Sequence, residues 1–242
     1  MNNSDIPITS REPVVIRGGA KSWPAAQWTF QSLGERAGSA LVPIMPTKFK
    51  KVGDVITRDG ETVKVPVKDY LSDLAAGRPV GHLNGSDLFT AIPTLRDDIK
   101  FPDVGPFSFD IVWVGATGNT TPIHFDRMPN VFAQIVGTKR WRLWSPKRKL
   151  ALASWQPGYR FAKVDGGVGP EGAGTPDVDL LLEPGDMLLV PVGWWHHVVT
   201  MSSSVSVNRW WAFPKLGKAV GKVLPARTTR RVFEFARELF VS

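Results

Sequence analysis

The 242-residue sequence contains no cysteine. That excludes disulfides and thiolate-bound zinc modules, and it fits a reducing compartment, so a cytoplasmic location is the expectation. Tyrosine is scarce as well: two residues stand against ten tryptophans and thirteen phenylalanines, which predicts a core of bulky aromatic packing. No apolar run approaches the roughly 20 residues that a bilayer-spanning helix needs. The opening "MNNSDIPITSREPVVIRGG" has no apolar stretch behind a basic one, so no secretory leader is expected. Histidine is limited to four residues, and two of them are adjacent.

Net charge is +8, but its placement matters more than its size. From Arg209 onward eight Lys/Arg face only Glu234 and Glu238, so the tail carries most of the excess and the body is close to neutral. A nucleic-acid or membrane surface, if there is one, belongs to that tail.

Hydrophobic residues make up 43% of the chain, ample for a core, while 20 prolines and 23 glycines favour short strands and turns. Strands are predicted at Pro13–Arg17 and Ala40–Met45, with a helix from Thr29, as N-cap, to Ala37. Asp59-Gly60 between alternating segments predicts a hairpin, and a second helix runs from Val67 to Ala76, stopped by Gly77. Residues 78–105 are proline-punctuated and predict loop with short helical turns. From Phe107 the pattern is strand after strand: "FSFDIVWVG", "NVFAQIVG", "KRWRLWSP", "VDLLLEPGDMLLVP", "HHVVTMS" and "SVSVNRWWAF". Glu183-Pro184-Gly185-Asp186 has the residue order of a type II turn, and "VDGGVGPEGAGTPDVD" predicts a mobile surface loop. The body is therefore mainly β with flanking helices, a sandwich or barrel. In the tail, Leu216, Ala219, Val220, Val223 and Leu224, then Val232, Phe235, Ala236, Leu239 and Phe240, follow helical spacing on either side of Pro225.

One constellation carries chemistry. In "TTPIHFDRMPN", His124 and Asp126 are two apart, and alternate strand residues share a face. In "VPVGWWHHVVT", one of His196 and His197 can face the same way; alternation does not decide which. Two histidines and a carboxylate around one divalent ion form the facial triad of non-haem Fe(II) oxygenases. No carboxylate follows the triplet at Arg127, Met128, Pro129 or Asn130, which disfavours the zinc or manganese cupin ligand set.

"TPIHFDRMPNVFAQIVGTKRWRLWSP" and "LEPGDMLLVPVGWWHHVVTMSSSVSVNRWW" together resemble the JmjC (cupin-like) 2-oxoglutarate oxygenases, nearest in flavour to the factor-inhibiting asparaginyl hydroxylase group. "EPVVIRGGAKSWPAAQW" resembles the start of that domain. The resemblance implies a double-stranded β-helix (jelly-roll) catalytic domain over residues 1–213 and a basic helical tail over 214–242. It implies metal ligands His124, Asp126 and His196, with His197 structural. For the cosubstrate it implies Lys139 and Thr121 at the far carboxylate and Asn130 and Asn208 nearby. Arg140, adjacent to Lys139, faces the other way, and Trp194 and Trp195 shape and dry the site.

Fe(II), 2-oxoglutarate and O2 are the implied cofactor and cosubstrates. The implied reaction hydroxylates a substrate C–H bond as 2-oxoglutarate becomes succinate and CO2. A hydroxylated carbon that bears nitrogen ends in demethylation. A protein side chain is the first expectation for substrate and a small molecule the second; a non-catalytic metal-binding module is the rival reading. The length suggests a bare catalytic domain. For the tail, a homodimerisation element is expected first and a membrane or nucleic-acid surface second.

Overall fold

The computed structural model describes residues 6–46, 49–52, 55–58, 60–78, 80–105, 108–148 and 172–211. The two helices expected in the tail lie outside the described residues, as does Asp59.

Strands β1 (Val14–Ile16), β2 (Leu41–Met45), β5 (Val63–Pro66), β6 (His82–Gly85), β7 (Ser108–Gly115), β9 (Asn130–Val136), β12 (Met187–Val190) and β14 (Ser204–Trp211) form one antiparallel sheet in the order β1-β12-β9-β14-β7-β6-β2-β5. A second sheet has the order β11-β10-β13-β8, from β8 (Thr120–Phe125), β10 (Lys139–Trp144), β11 (Val178–Leu182) and β13 (Trp195–Thr200). β3 (Phe49–Val52) and β4 (Val55–Arg58) pair with each other. The helices are α1 (Phe30–Ala37), α2 (Val67–Ala75) and α3 (Ser86–Ala91), with 3-10 turns at Pro24–Gln27, Pro93–Asp98 and Pro146–Arg148. None of the described helices is long and apolar enough to cross a membrane.

Burial on both faces explains the near-continuous apolar character of the central strands. On β9, Val131, Ala133 and Ile135 join the larger core, which includes Leu33 of α1 and Leu71 and Leu74 of α2. Phe132, from the opposite face, packs with Leu188 and Val190 against Trp141, Leu143, Leu182 and Val198 of the second sheet. The helices therefore cover the outside of the large sheet, and the space between the sheets is a separate core. This arrangement is consistent with a cupin-like jelly roll.

Local chemistry sets the element ends. The Thr29 hydroxyl accepts from the Ser32 N–H at 3.0 Å while the Ser32 hydroxyl accepts from the Thr29 N–H, a reciprocal cap on α1. At the β11–β12 turn the Asp186 N–H donates to the Glu183 carbonyl, and Gly185 has φ 93°, as a type II turn requires.

The Asp186 carboxylate then gathers three donors: Arg17 at 2.5 Å, the Gly18 N–H at 3.0 Å and the Glu183 N–H at 3.2 Å. Burial pushes its pKa up, but the Gly18, Arg17 and Glu183 donors outweigh burial and the net shift is downward. Asp186→Ala is expected to cost about 1–2 kcal/mol in urea denaturation, because the part-buried N–H groups of Gly18 and Glu183 lose their acceptor. The stabilisation is present above the ordinary carboxyl range and disappears as pH falls through the lowered folded pKa. A midpoint unchanged by the substitution would show that the turn holds without it.

Three sequence expectations need correction. The strands flanking Asp59-Gly60 do not pair with each other: β4 pairs with β3, and β5 pairs with β2. Residues 78–105 contain a strand, β6, which bridges β2 and β7. The end of the glycine-rich stretch is anchored, with Ala173 buried against Ile123, Trp144 and Trp195 and the Gly174 carbonyl accepting from Trp144 Nε1; its earlier part lies outside the described residues.

Candidate metal centre

Register places the triad. His196 of β13 lies directly opposite His124 of β8, so the two side chains share a face, and their ring centroids are 4.1 Å apart. Leu143 of the inter-sheet core is opposite His196 on β10, which identifies that face as the interior. His197 faces the other way, opposite Arg142, although it too is buried. Asp126 is the first residue beyond β8 rather than part of it. Its Oδ2 lies 3.5 Å from His196 Nε2. One ligand atom from each of His124, Asp126 and His196 falls within 4.8 Å of the others, so the three could hold one ion.

Both imidazoles are oriented by the same device. His124 Nδ1 is 2.8 Å from the Pro122 carbonyl, and His196 Nδ1 is 2.9 Å from the Trp194 carbonyl. A carbonyl only accepts, so each Nδ1 carries the proton and donates. Each Nε2 therefore keeps a lone pair for a metal. Asn130 Nδ2 donates to Asp126 Oδ2 at 3.4 Å, steadying the carboxylate. The donor set, the tautomers and the supporting hydrogen bonds all fit a divalent transition-metal ion.

A bulge shapes β8. Between the His124–His196 and Thr121–Val198 pairs, Pro122 and Ile123 stand against the single residue His197. Proline has no N–H for the ladder, and this strand lies at the sheet edge, where proline and bulges are tolerated. The offset brings Thr121 onto the same interior face as His124.

Lys139 starts β10 on that face and is only 4% exposed. Its Nζ lies 5.3 Å from the centre of the Phe132 ring. Burial pushes its pKa down to about 7, and no carboxylate among the described residues forms an ion pair with it. An anion entering this interior would supply the missing charge. Arg140 points outward, pairing with Asp179 at 2.7 Å.

Asn208 is buried in the middle of β14 rather than at a strand end, opposite Phe132 and Ile111. Its Oδ1 accepts from Trp113 Nε1 at 2.9 Å, which leaves its NH2 as the remaining polar group. Trp194 Nε1 donates to the Arg11 carbonyl, and Trp195 packs edge-on to Phe125; both are packing residues.

The structure adds residues that the sequence did not single out. Trp113 orients Asn208 and stacks on His82 at 5.6 Å. Gln134 accepts from Ser206 and donates to the Val136 and Gly137 carbonyls, a polar support at the far end. Trp141 stacks on His196 at 5.5 Å. Counting alternate positions from Lys139 and Asn130 gives Trp141 and Gln134 the inward face, a signal masked by reading tryptophan as core alone.

Comparison with known proteins agrees with this geometry. The cupin-like domain family matches residues 7–215. Lysine-specific demethylase 8 of Xenopus tropicalis is 30% identical over 226 residues, spanning 85% of this chain and 49% of that protein. Lysine-specific demethylase JMJ30 of Arabidopsis thaliana is 30% identical over 219 residues, spanning 83% and 50%. The chain thus spans about half the length of these curated relatives. The X-ray structure of E. coli YcfD superposes with a TM-score of 0.51 at 16% identity, covering 87% of this chain and 52% of that one, a likeness of fold alone. Sequence match, two-sheet architecture and the His-Asp-His cluster agree: this chain belongs to the cupin-like domain family, with the JmjC proteins among its relatives.

Proposed function

We propose that the chain is an Fe(II)- and 2-oxoglutarate-dependent oxygenase with a jelly-roll catalytic domain, which hydroxylates a C–H bond on a protein side chain. The observation that carries this reading is the pairing of two features on one interior face. At one end His124, Asp126 and His196 converge, each imidazole held through Nδ1 by a backbone carbonyl. At the other stands Lys139, a buried amine with no carboxylate partner among the described residues. Along β10, Lys139 and the position opposite His196 are four residues apart, about 13 Å of strand. Side chains leaning in from both ends suit a short dicarboxylate that chelates a metal with one end and meets an ammonium with the other.

When bound, iron supplies the oxidising chemistry that couples decarboxylation of 2-oxoglutarate by O2, giving succinate and CO2, to substrate hydroxylation. The chain's own work is positional. His124, Asp126 and His196 would hold the ion. Lys139, with the Thr121 hydroxyl on the same face, receives the far carboxylate, and the Asn208 NH2 adds a donor from the opposite sheet. Trp141, Phe132 and Val198 keep water from the space between.

The names of the demethylase relatives favour a protein substrate. Hydroxylation of a carbon attached to nitrogen would yield demethylation by the same step. The apolar cluster of Phe109, Met128 and Trp210 lies beside Asn130, at the metal end, where a substrate would approach.

The test is the visible absorption of the protein with Fe(II) and 2-oxoglutarate under anaerobic conditions, beside His124→Ala. A weak charge-transfer band in the wild type alone is expected. No band in either sample, with the fold intact, would favour a metal-binding module without this cosubstrate.

A further inference from the structure

Among the polar atoms on the inward faces of the two sheets, the indole N–H of Trp141 is one that packing leaves unexplained. Trp141 is 4% exposed, and its Nε1–H is buried with no hydrogen-bond partner among the described residues. A tryptophan N–H can only donate. Its apolar neighbours, among them Phe132, Leu143, Leu182 and Val198, offer no side-chain acceptor, and the His196 ring lies against its face rather than at its N–H edge. A buried donor left unmade is costly, so one held there in an otherwise apolar cluster calls for an acceptor that arrives from outside.

The position of the ring says where that acceptor comes from. Trp141 lies on the inward face of β10 between Lys139 and Leu143, the residue opposite His196. One face of its indole stacks on His196, with centroids 5.5 Å apart and planes 28° apart. It also meets Phe132 edge-on at 4.8 Å, and Phe132 in turn lies under Lys139 Nζ. The unpaired N–H thus belongs to a side chain placed midway between the ammonium and the metal ligands.

We infer that Trp141 Nε1–H donates a hydrogen bond to an oxygen of bound 2-oxoglutarate, making Trp141 a further cosubstrate-binding group between the Lys139 and metal ends. The inference rests on the oxygenase reading above. The indole serves two ends at once: its face holds the His196 ring and its edge binds the ligand. Replacement by phenylalanine separates them, because the aromatic face stays and the N–H goes.

The experiment is calorimetric titration of 2-oxoglutarate into Mn(II)-loaded wild type and Trp141→Phe, with Co(II) absorption spectra of both as a check on the ligand set. The Phe variant is expected to bind 2-oxoglutarate about tenfold more weakly, the usual size of one hydrogen bond to a charged acceptor. Its Co(II) spectrum should match the wild type, since His124, Asp126 and His196 are untouched. Trp141→Leu, which also lacks the N–H, replaces it if the Phe variant does not fold. Equal affinity in wild type and folded variant overturns the inference while leaving the oxygenase reading standing. Failure of the wild type itself to bind 2-oxoglutarate overturns both.

Discussion

His196→Ala is expected to abolish turnover and weaken metal binding by at least about a hundredfold, while His197→Ala retains substantial activity. The two residues are adjacent, equally buried and chemically identical, so the contrast isolates orientation. His196 is opposite His124 and contributes its Nε2 to the cluster. Its loss removes one of the three residues that could hold the ion and also strips Trp141 of its stacking partner. His197 stands on the other face of the same strand, opposite Arg142. Its substitution costs packing, about 1–3 kcal/mol by analogy with other buried side chains, and should appear in thermal denaturation rather than in metal affinity. Metal titration of both variants decides the matter; a loss of affinity at position 197 and not at 196 would reverse the assignment.

Lys139→Met carries the second large effect. Methionine keeps the length and the apolar stem but removes the charge. Losing one partner of a buried ion pair costs about 3–5 kcal/mol, so the dissociation constant for 2-oxoglutarate should rise by roughly a hundredfold to a thousandfold. The iron site should survive, because no metal ligand is changed.

Lys139 also predicts a pH signature. Burial lowers its pKa from the ordinary 10.5 to about 7 in the ligand-free protein. Between those values the unfolded chain holds a proton that the folded chain does not, so this group makes ligand-free stability rise with pH over that window. Binding has the opposite dependence, since the cosubstrate carboxylate needs the ammonium form. Affinity should therefore fall as pH climbs above about 7, by up to about tenfold per unit. The Met variant should lose both slopes. Calorimetry at several pH values gives the binding slope, and urea denaturation gives the stability slope. A wild-type affinity flat from pH 7 to 9 would place the cosubstrate carboxylate on another partner.

Much of this site was legible because strands from Phe107 onward alternate and are punctuated by glycine and proline. H-x-D pointed to two candidate ligands, and the aromatic pair before His196 gave the third only through family resemblance; the pairing of His196 with His124 is what brings the three together. Local signals failed where distant contacts overrode them. Asp59-Gly60 has hairpin chemistry, yet β5 gains more by pairing with β2. β6 is four residues long, contains glycine and lies among loop-like sequence, so only its neighbours β2 and β7 make it a strand. The roles of Trp113 and Trp141 were hidden because tryptophan in a β-rich segment looks like filler, and an unpaired N–H is visible only in three dimensions.

The irregularity at Pro122 and Ile123 has a wider meaning. On a flat strand, residues three apart point in opposite directions, so one segment could not serve both the metal and the far carboxylate through His124 and Thr121. The extra residue acts as a gear change, resetting the count partway along. On the proposed binding mode, ligation and cosubstrate selection depend on different phases of one short strand. Changes at position 122 could retune the hydroxyl end while the ion stays where it is, a route to altered cosubstrate preference that leaves every coordinating side chain in place.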